Sequence, residues 1–291
     1  MSKELEKEIL KIHTDMESLA NTKSKKLLQA YKRSLDDIRK EIGLIFSKYA
    51  VDGVLSVSKQ QRINILKGLE KEIIKQSKYL GNIDLDTTTD ILKDVYKSSY
   101  YQTLFVLDKG IKTTLNFTLL NPKIVEKAVM TEYKDELFSD RIWKNKNLLV
   151  NRLKLNIERG IIQGKSVDKL VKDIKNTFGS SAYESKRLIN TELARVISDA
   201  QTEIYNNSAV VKKVMYVATL DNKTSDICAS LDGQIFEANG KYPHPPQHPN
   251  CRSCIIPVID GWSPSVRKDN MTKEEIDYSN YENWLKSREI K

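Results

Sequence analysis

Residues 182–218 read AYESKRLINTELARVISDAQTEIYNNSAVVKKVMYVA, and within this stretch the hydrophobic period changes. From Leu188 through Ile189, Val196, Ile197 and Ala200 to Ile204 the apolar side chains recur at three- and four-residue steps, the stripe of an amphipathic helix over about 182–206. After Asn206-Asn207 the pattern turns β-branched and aromatic, in Val210-Val211 and then Val214-Met215-Tyr216-Val217-Ala218. Gln234–Glu237 and Ile255–Ile259 are the segments such a strand would pair with. The expected fold is therefore mainly α, closing on a small α+β C-terminal subdomain with a short antiparallel sheet.

Upstream, almost no Gly or Pro interrupts the periodic runs. Leu28, Tyr31, Leu35, Ile38, Ile42, Ile45 and Tyr49 alternate three- and four-residue steps, the seam of a packed helix that Asp52-Gly53 breaks. A second helix is expected from Ser56 or Ser58 to Leu80, ended by Gly81-Asn82. A third opens at Thr87-Thr88-Thr89-Asp90 and closes at Gly110. Asn121-Pro122 starts a short helix, Ser139-Asp140 caps one running to about Ile162, and Ser166 caps another that Gly179 ends. These signals divide the chain into a helical arm or bundle for partner binding (1–135), a compact region (136–260), and a polar tail or docking helix (261–291) with Tyr278, Tyr281 and Trp284 about a helical turn apart.

The 291 residues carry 48 basic and 39 acidic side chains, a net charge of +9, and the excess has an address. Residues 141–213 hold 15 basic against 7 acidic side chains, a local +8. A polyanion such as double-stranded DNA would meet this part first, through Arg141, Lys144, Lys146, Arg152, Lys154, Arg159 and Lys165. The alternative is a solvated basic face. No run approaches the roughly 20 apolar residues of a membrane span, and MSKELEKEIL lacks the order of a signal peptide, so neither membrane insertion nor export is expected.

All three cysteines, Cys228, Cys251 and Cys254, fall in one short window together with His244 and His248. His248, Cys251 and Cys254 form H-x-x-C-x-x-C, and with Cys228 they make a Cys3His set of the kind that holds a structural zinc ion tetrahedrally. The plain alternative is that the thiols fill small apolar spaces. Asp221, Asp226, Asp232 and His248 could instead bind a hard cation for phosphodiester hydrolysis, although Asp-Asn-Lys-Thr-Ser and Asp-Gly are also turn sequences. On the long helix Arg187, Thr191, Glu192, Arg195 and Asp199 make a polar stripe, read either as surface ion pairs or as an interior Glu192 paired with an arginine such as Arg252. There is no phosphate-binding P-loop, no dinucleotide fingerprint and no G-x-S-x-G elbow, so the reading is non-enzymatic.

Residues from about Phe138 to Pro257 resemble the phage Mu F-like head morphogenesis proteins. The matching pieces are Phe138-Ser139-Asp140-Arg141-Ile142-Trp143, Gly160 to Ser166, and Arg187 to Arg195 with Ala200 and Tyr205. They continue through Ala218-Thr219-Leu220-Asp221, Thr224, Cys228, Leu231-Asp232-Gly233 and Pro245 to Arg252. The family pattern places a cysteine, serine or threonine directly after Cys251-Arg252. Here Ser253 fills that place and Cys254 follows. The resemblance implies a minor head protein of a tailed bacteriophage, found in the host cytoplasm during assembly and in the virion head near the portal. Its partners would be portal, scaffold or coat protein and double-stranded DNA, in head assembly, packaging or genome ejection. Arg187, Thr191, Glu192, Arg195, Asp221 and Arg252, which lie within the matching pieces, are expected to form a structural polar motif. A nuclease delivered with the genome and a purely structural assembly factor are the other readings.

Overall fold

A computed structural model of the chain describes residues 2–110, 117–259, 266–269, 271–272, 274–277 and 283. In chain order the elements are α1 (Ser2–Lys23), α2 (Lys25–Tyr49), β1 (Ala50–Val51), β2 (Val54–Leu55), α3 (Lys59–Gly110), α4 (Pro122–Val129), α5 (Phe138–Ile162) and α6 (Val167–Asn207). There follow β3 (Lys213–Val217), α7 (Asp226–Leu231), β4 (Ile235–Glu237), β5 (Cys254–Val258), β6 (Val266–Lys268) and β7 (Glu275–Asp277). The expected class, helices followed by a small antiparallel sheet, is what the chain adopts. Two compact units are assembled from separated pieces of chain. A helical unit comprises Lys23–Asp90 and Glu132–Leu188, and a sheet unit comprises Met1–Thr22, Ile91–Thr131 and Ile189–Lys291.

In the helical unit α2 buries Leu27, Tyr31, Ile38, Ile42 and Phe46, while Leu28, expected on the seam, is 45% exposed. The buried stripe starts one residue earlier and follows a wider face than the heptad reading gives. Asp52 and Gly53 both have positive φ, 50° and 76°, which is how a two-residue Asp-Gly turn closes the β1–β2 hairpin.

The expected stop at Gly81-Asn82 and start at Thr87–Asp90 are both absent, because α3 runs unbroken for 52 residues. Gly81 serves a different purpose. A Cβ there would stand 2.3 Å from Cζ3 of Trp143, so the missing side chain admits the indole of α5. The threonines lie inside the helix, Thr87 and Thr88 buried, with Thr88 Oγ1 donating to Asp84 Oδ1 at 3.3 Å. Gly179 does not end a helix either, since α6 continues to Asn207. Gly164 does. It sits at φ 64°, its N–H donates to the Ile161 carbonyl and that of Lys165 to the Gly160 carbonyl, the paired bonds of a Schellman ending to α5.

In the sheet unit β3 is the central strand, in the order β4-β3-β5 with both pairings antiparallel. Its Val214, Met215, Tyr216 and Val217 are all buried, as a central strand covered on both faces requires. Ile9, Ile12 and Met16 of α1, Val95 and Tyr96 of α3, Val125 and Val129 of α4, and Val196, Ile197 and Ile204 of α6 supply the rest of this core. Beyond β5 the described residues include the antiparallel β6–β7 pair, and Asp269 is fully buried, accepting from the Met271 amide at 2.8 Å. Tyr278, Tyr281 and Trp284 lie outside the described residues.

Candidate functional site

The loop leaving β3 is fixed by its own polar side chains. Arg252 donates to both carboxylate oxygens of Asp221, at 2.5 and 2.9 Å, and the Lys223 amide donates to Oδ1 at 2.9 Å. Burial pushes the Asp221 carboxyl up, but the Arg252 fork and the Lys223 amide outweigh it and leave the carboxyl below its ordinary range. Thr219 Oγ1 donates to the Arg252 carbonyl at 2.9 Å, and the Ala218 amide donates to Asp232 Oδ1 at 2.7 Å. These bonds lead into α7, where Ser225 is the N-cap and accepts from the Cys228 amide.

A second loop arrives from the other side. Its Pro245–Pro246 bond is cis, and Asn250 takes a left-handed φ of 62°. The Asn250 amide donates to Thr191 Oγ1 at 2.8 Å and its side-chain oxygen accepts from Asn190 at the same distance, so α6 holds the loop at its tightest point.

The two loops bring Cys228, His248 and Cys251 together, with their ligand atoms all within 4.8 Å of one another. Both thiols are buried and His248 is half-buried. The Sγ atoms lie 3.7 Å apart, and Tyr216 Oη is 3.3 Å from Cys228 Sγ. A hydrogen bond from the Cys251 thiol, aided by the hydroxyls of Ser225, Ser253 and Tyr216, favours Cys228 as the thiolate against its burial. Cys251 is correspondingly held protonated. This donor set could hold a soft cation. Cys254, the fourth expected ligand, stands at the head of β5 opposite Val217 and is not in the group. His244 is not in it either, as its ring stacks on Tyr242 with centroids 4.2 Å apart. The sequence reading missed Tyr216 and Ser253. Only the position of Ser253, where the family pattern allows Cys, Ser or Thr, hinted at it.

The polar stripe of α6 is an interior ion pair with a different partner from the expected Arg252. Glu192 is fully buried and accepts from Arg195 Nε at 2.7 Å. The same guanidinium reaches Asp199 at 3.0 Å and donates to the carbonyls of Ala128 and Val129 at 2.9 and 3.0 Å, capping the C-terminus of α4. Arg187 pairs with Glu184 at 2.7 Å on the surface.

Of the seven basic residues expected to face DNA, Lys146 is misplaced. It is fully buried, with Nζ 2.6 Å from Asp84 Oδ2, 2.5 Å from Tyr31 Oη and 3.0 Å from Ser185 Oγ. The buried stripe of α5 advances in steps of three and four residues through Ile142, Leu149 and Leu153, and Lys146 falls in that stripe. Lys144 pairs with Glu136, Lys154 with Glu70 at 2.6 Å and Lys165 with Asp173 at 2.7 Å. Arg141 stacks on the Tyr133 ring, 5.3 Å from its centroid. Arg152 and Arg159 are exposed on α5.

No helix among the described residues is long and apolar enough to cross a membrane. Residues 151–256 match the family model described as Phage Mu protein F like protein. The chain is 24% identical over 278 residues to NAD(+)--arginine ADP-ribosyltransferase EFV of Enterococcus faecalis, an alignment that takes in 90% of this chain but 56% of that protein's length. Identity is also 24%, over 300 residues, to Minor head protein GP7 of Bacillus phage SPP1, covering 94% of this chain and 95% of GP7. No solved structure matches. The segment 151–256, over which the chain is similar to the Phage Mu protein F like proteins, contains both the Cys228–His248–Cys251 trio and the Glu192–Arg195 pair.

Proposed function

We propose that the chain is a non-enzymatic minor head protein, built into the phage head near the portal during assembly in the host cytoplasm and retained in the virion. The observation that supports this is the near end-to-end alignment with the SPP1 minor head protein, 95% of its length. The ADP-ribosyltransferase, by contrast, is spanned for 56% of its length, and the transfer activity in its name belongs to that whole protein. The engagement of Asp221 by Arg252 and of Asp232 by the Ala218 amide favours a structural role over the hydrolytic one, since both carboxylates already hold loop groups in place. Portal protein is the partner proposed, with scaffold or coat protein as further neighbours. Mass spectrometry of purified heads, with and without the gene, tests the reading. Heads should contain the chain, and its loss should lower head yield or DNA content. Heads of normal number, composition and DNA content without it would overturn the proposal.

Contact with DNA is the less supported part, because most of the basic residues singled out for it are already paired or buried. We propose sequence-independent binding through Arg152 and Arg159 on the exposed face of α5. Two phosphate contacts give a log–log salt slope of about −2, where all seven residues would give about −6. A filter-binding titration over salt measures it, and no binding at low salt would remove DNA from the proposal.

A further inference from the structure

The trio at the end of the two loops has the spacing of a metal site and not that of a disulfide. Two sulfurs held by one tetrahedral zinc at about 2.3 Å each stand about 3.8 Å apart. Cys228 and Cys251 Sγ are 3.7 Å apart, far beyond the roughly 2.05 Å of a bonded pair. A sulfur and a ring nitrogen on the same ion stand about 3.6 Å apart by the same geometry. The trio's ligand atoms, all within 4.8 Å of one another, need close by little more than about 1 Å to reach it.

The surrounding groups point the same way. His248 Nδ1 lies 3.0 Å from the Pro249 carbonyl. A carbonyl only accepts, so Nδ1 carries the proton and Nε2 offers its lone pair, the arrangement that orients a metal-bound imidazole. The Tyr216 hydroxyl lies 3.3 Å from the buried Cys228 Sγ, in reach to donate to it. A donor there suits a thiolate ligand.

We propose that Cys228, His248 and Cys251 bind one zinc ion, with a solvent molecule and not Cys254 as the fourth ligand. His248 is the half-buried member of the trio, the route by which solvent reaches the site. The ion joins α7 to the 244–250 loop and the segment that continues it into β5. On binding, the thiol protons pass to buffer and two thiolates and one neutral imidazole remain on the metal. This inference rests on donor geometry and is independent of the head-protein reading.

The test uses the full chain under reducing conditions, with zinc content measured by elemental analysis and affinity by competition with a chromophoric chelator. Cobalt substitution reports the number of thiolate bonds through its near-ultraviolet charge-transfer intensity. The expected result is one zinc per chain, a cobalt spectrum with two thiolates, and retention of both in Cys254→Ser. Cys228→Ser, Cys251→Ser and His248→Gln should each lose affinity by about 100-fold or more. Should either cysteine variant misfold by circular dichroism, His248→Gln decides, because its half-exposed ring can be replaced without opening the core. Zinc stoichiometry near zero in the unsubstituted chain, a Cys228–Cys251 disulfide in its place, or metal lost with Cys254→Ser and kept with His248→Gln would each overturn the proposal.

Discussion

Replacing Lys146 by methionine removes a cation that no solvent can replace. The side chain is of similar length, so the change leaves little cavity, and its cost comes from what Lys146 leaves behind. Asp84 is 0% exposed and keeps Ser185 Oγ, 2.5 Å away, and Thr88 Oγ1 as donors, with no positive charge near it. Removing one partner of a buried pair costs about 3–5 kcal/mol, and the two hydroxyl donors keep this case near the lower end, about 3 kcal/mol. For a protein of this size that is a fall of about 6–12 °C in Tm. Thermal and urea unfolding of the full chain followed by circular dichroism reads it. The double variant Lys146→Met, Asp84→Leu should recover most of the loss, since a buried pair is often replaced by apolar groups at little cost. Burial works against the Lys146 ammonium, but Asp84 and Tyr31 beside it more than offset that and raise its pKa above 10.5. The contribution is therefore complete at pH 7 and is lost as pH climbs from about 10.5 through that raised value. A loss below about 1 kcal/mol in the single variant, or a double variant worse than the single, would refute the reasoning.

Gly81→Ala should destabilise by about 1–2 kcal/mol, because overpacking against Trp143 exceeds the gain of about 1 kcal/mol in helix propensity, whereas Gly179→Ala, whose Cβ meets nothing within 4 Å, should stabilise by about 1 kcal/mol. Equal effects at the two glycines in chemical denaturation would show that Trp143 is not the reason for Gly81. Burial lowers the His13 imidazole from 6.5 to about 4, against the pull of Gln201. The folded state then loses stability as pH falls from about 6.5 to about 4 and no further below, by about 2 kcal/mol once the half-buried ring's contact with water is allowed for. Urea midpoints at pH 7 and 4.5 should converge in His13→Gln, and an unchanged pH dependence would exclude His13 as its source. Arg195→Met strips Glu192 of its cation and the α4 carbonyls of their donor, costing about 3–5 kcal/mol, and Arg195→Lys should recover little because one ammonium cannot serve all four acceptors. Near-complete rescue by lysine in urea unfolding would reject the role of the guanidinium fork.

Where the sequence could be read and where it could not follows from the range of the interaction involved. Val214 to Val217 announces a central strand locally, because burial on both faces leaves a continuous apolar run. Asn121 before α4, whose side chain accepts from the Ile124 amide, is likewise a local signal, satisfied within four residues. Gly81 and Gly179 look alike in sequence, and both read as helix stops. Neither is one, since a long helix is held by what packs on it, and about 1 kcal/mol per glycine is easily outweighed. Only the indole of Trp143, 62 positions along the chain from Gly81, shows why Gly81 is needed.

The same distinction explains the site. The thiols and His248 are crowded in sequence, so the trio was visible. The choice between Cys254 and solvent was not, because it depends on strand register. Once Val217 pairs with Cys254, the cysteine belongs to the sheet, and Ser253, one residue earlier, turns its hydroxyl toward Cys228. Alternation along a strand sends adjacent side chains to opposite faces, so these two residues do not share the site equally. Lys146 shows the converse error. Charge counting treats each lysine of 141–213 as surface, yet position 146 lies on the α5 stripe that carries Ile142, Leu149 and Leu153. A lysine on an apolar stripe requires an acid at the same depth. Asp84, in the part of α3 that was read as a break between helices, is the acid that meets it.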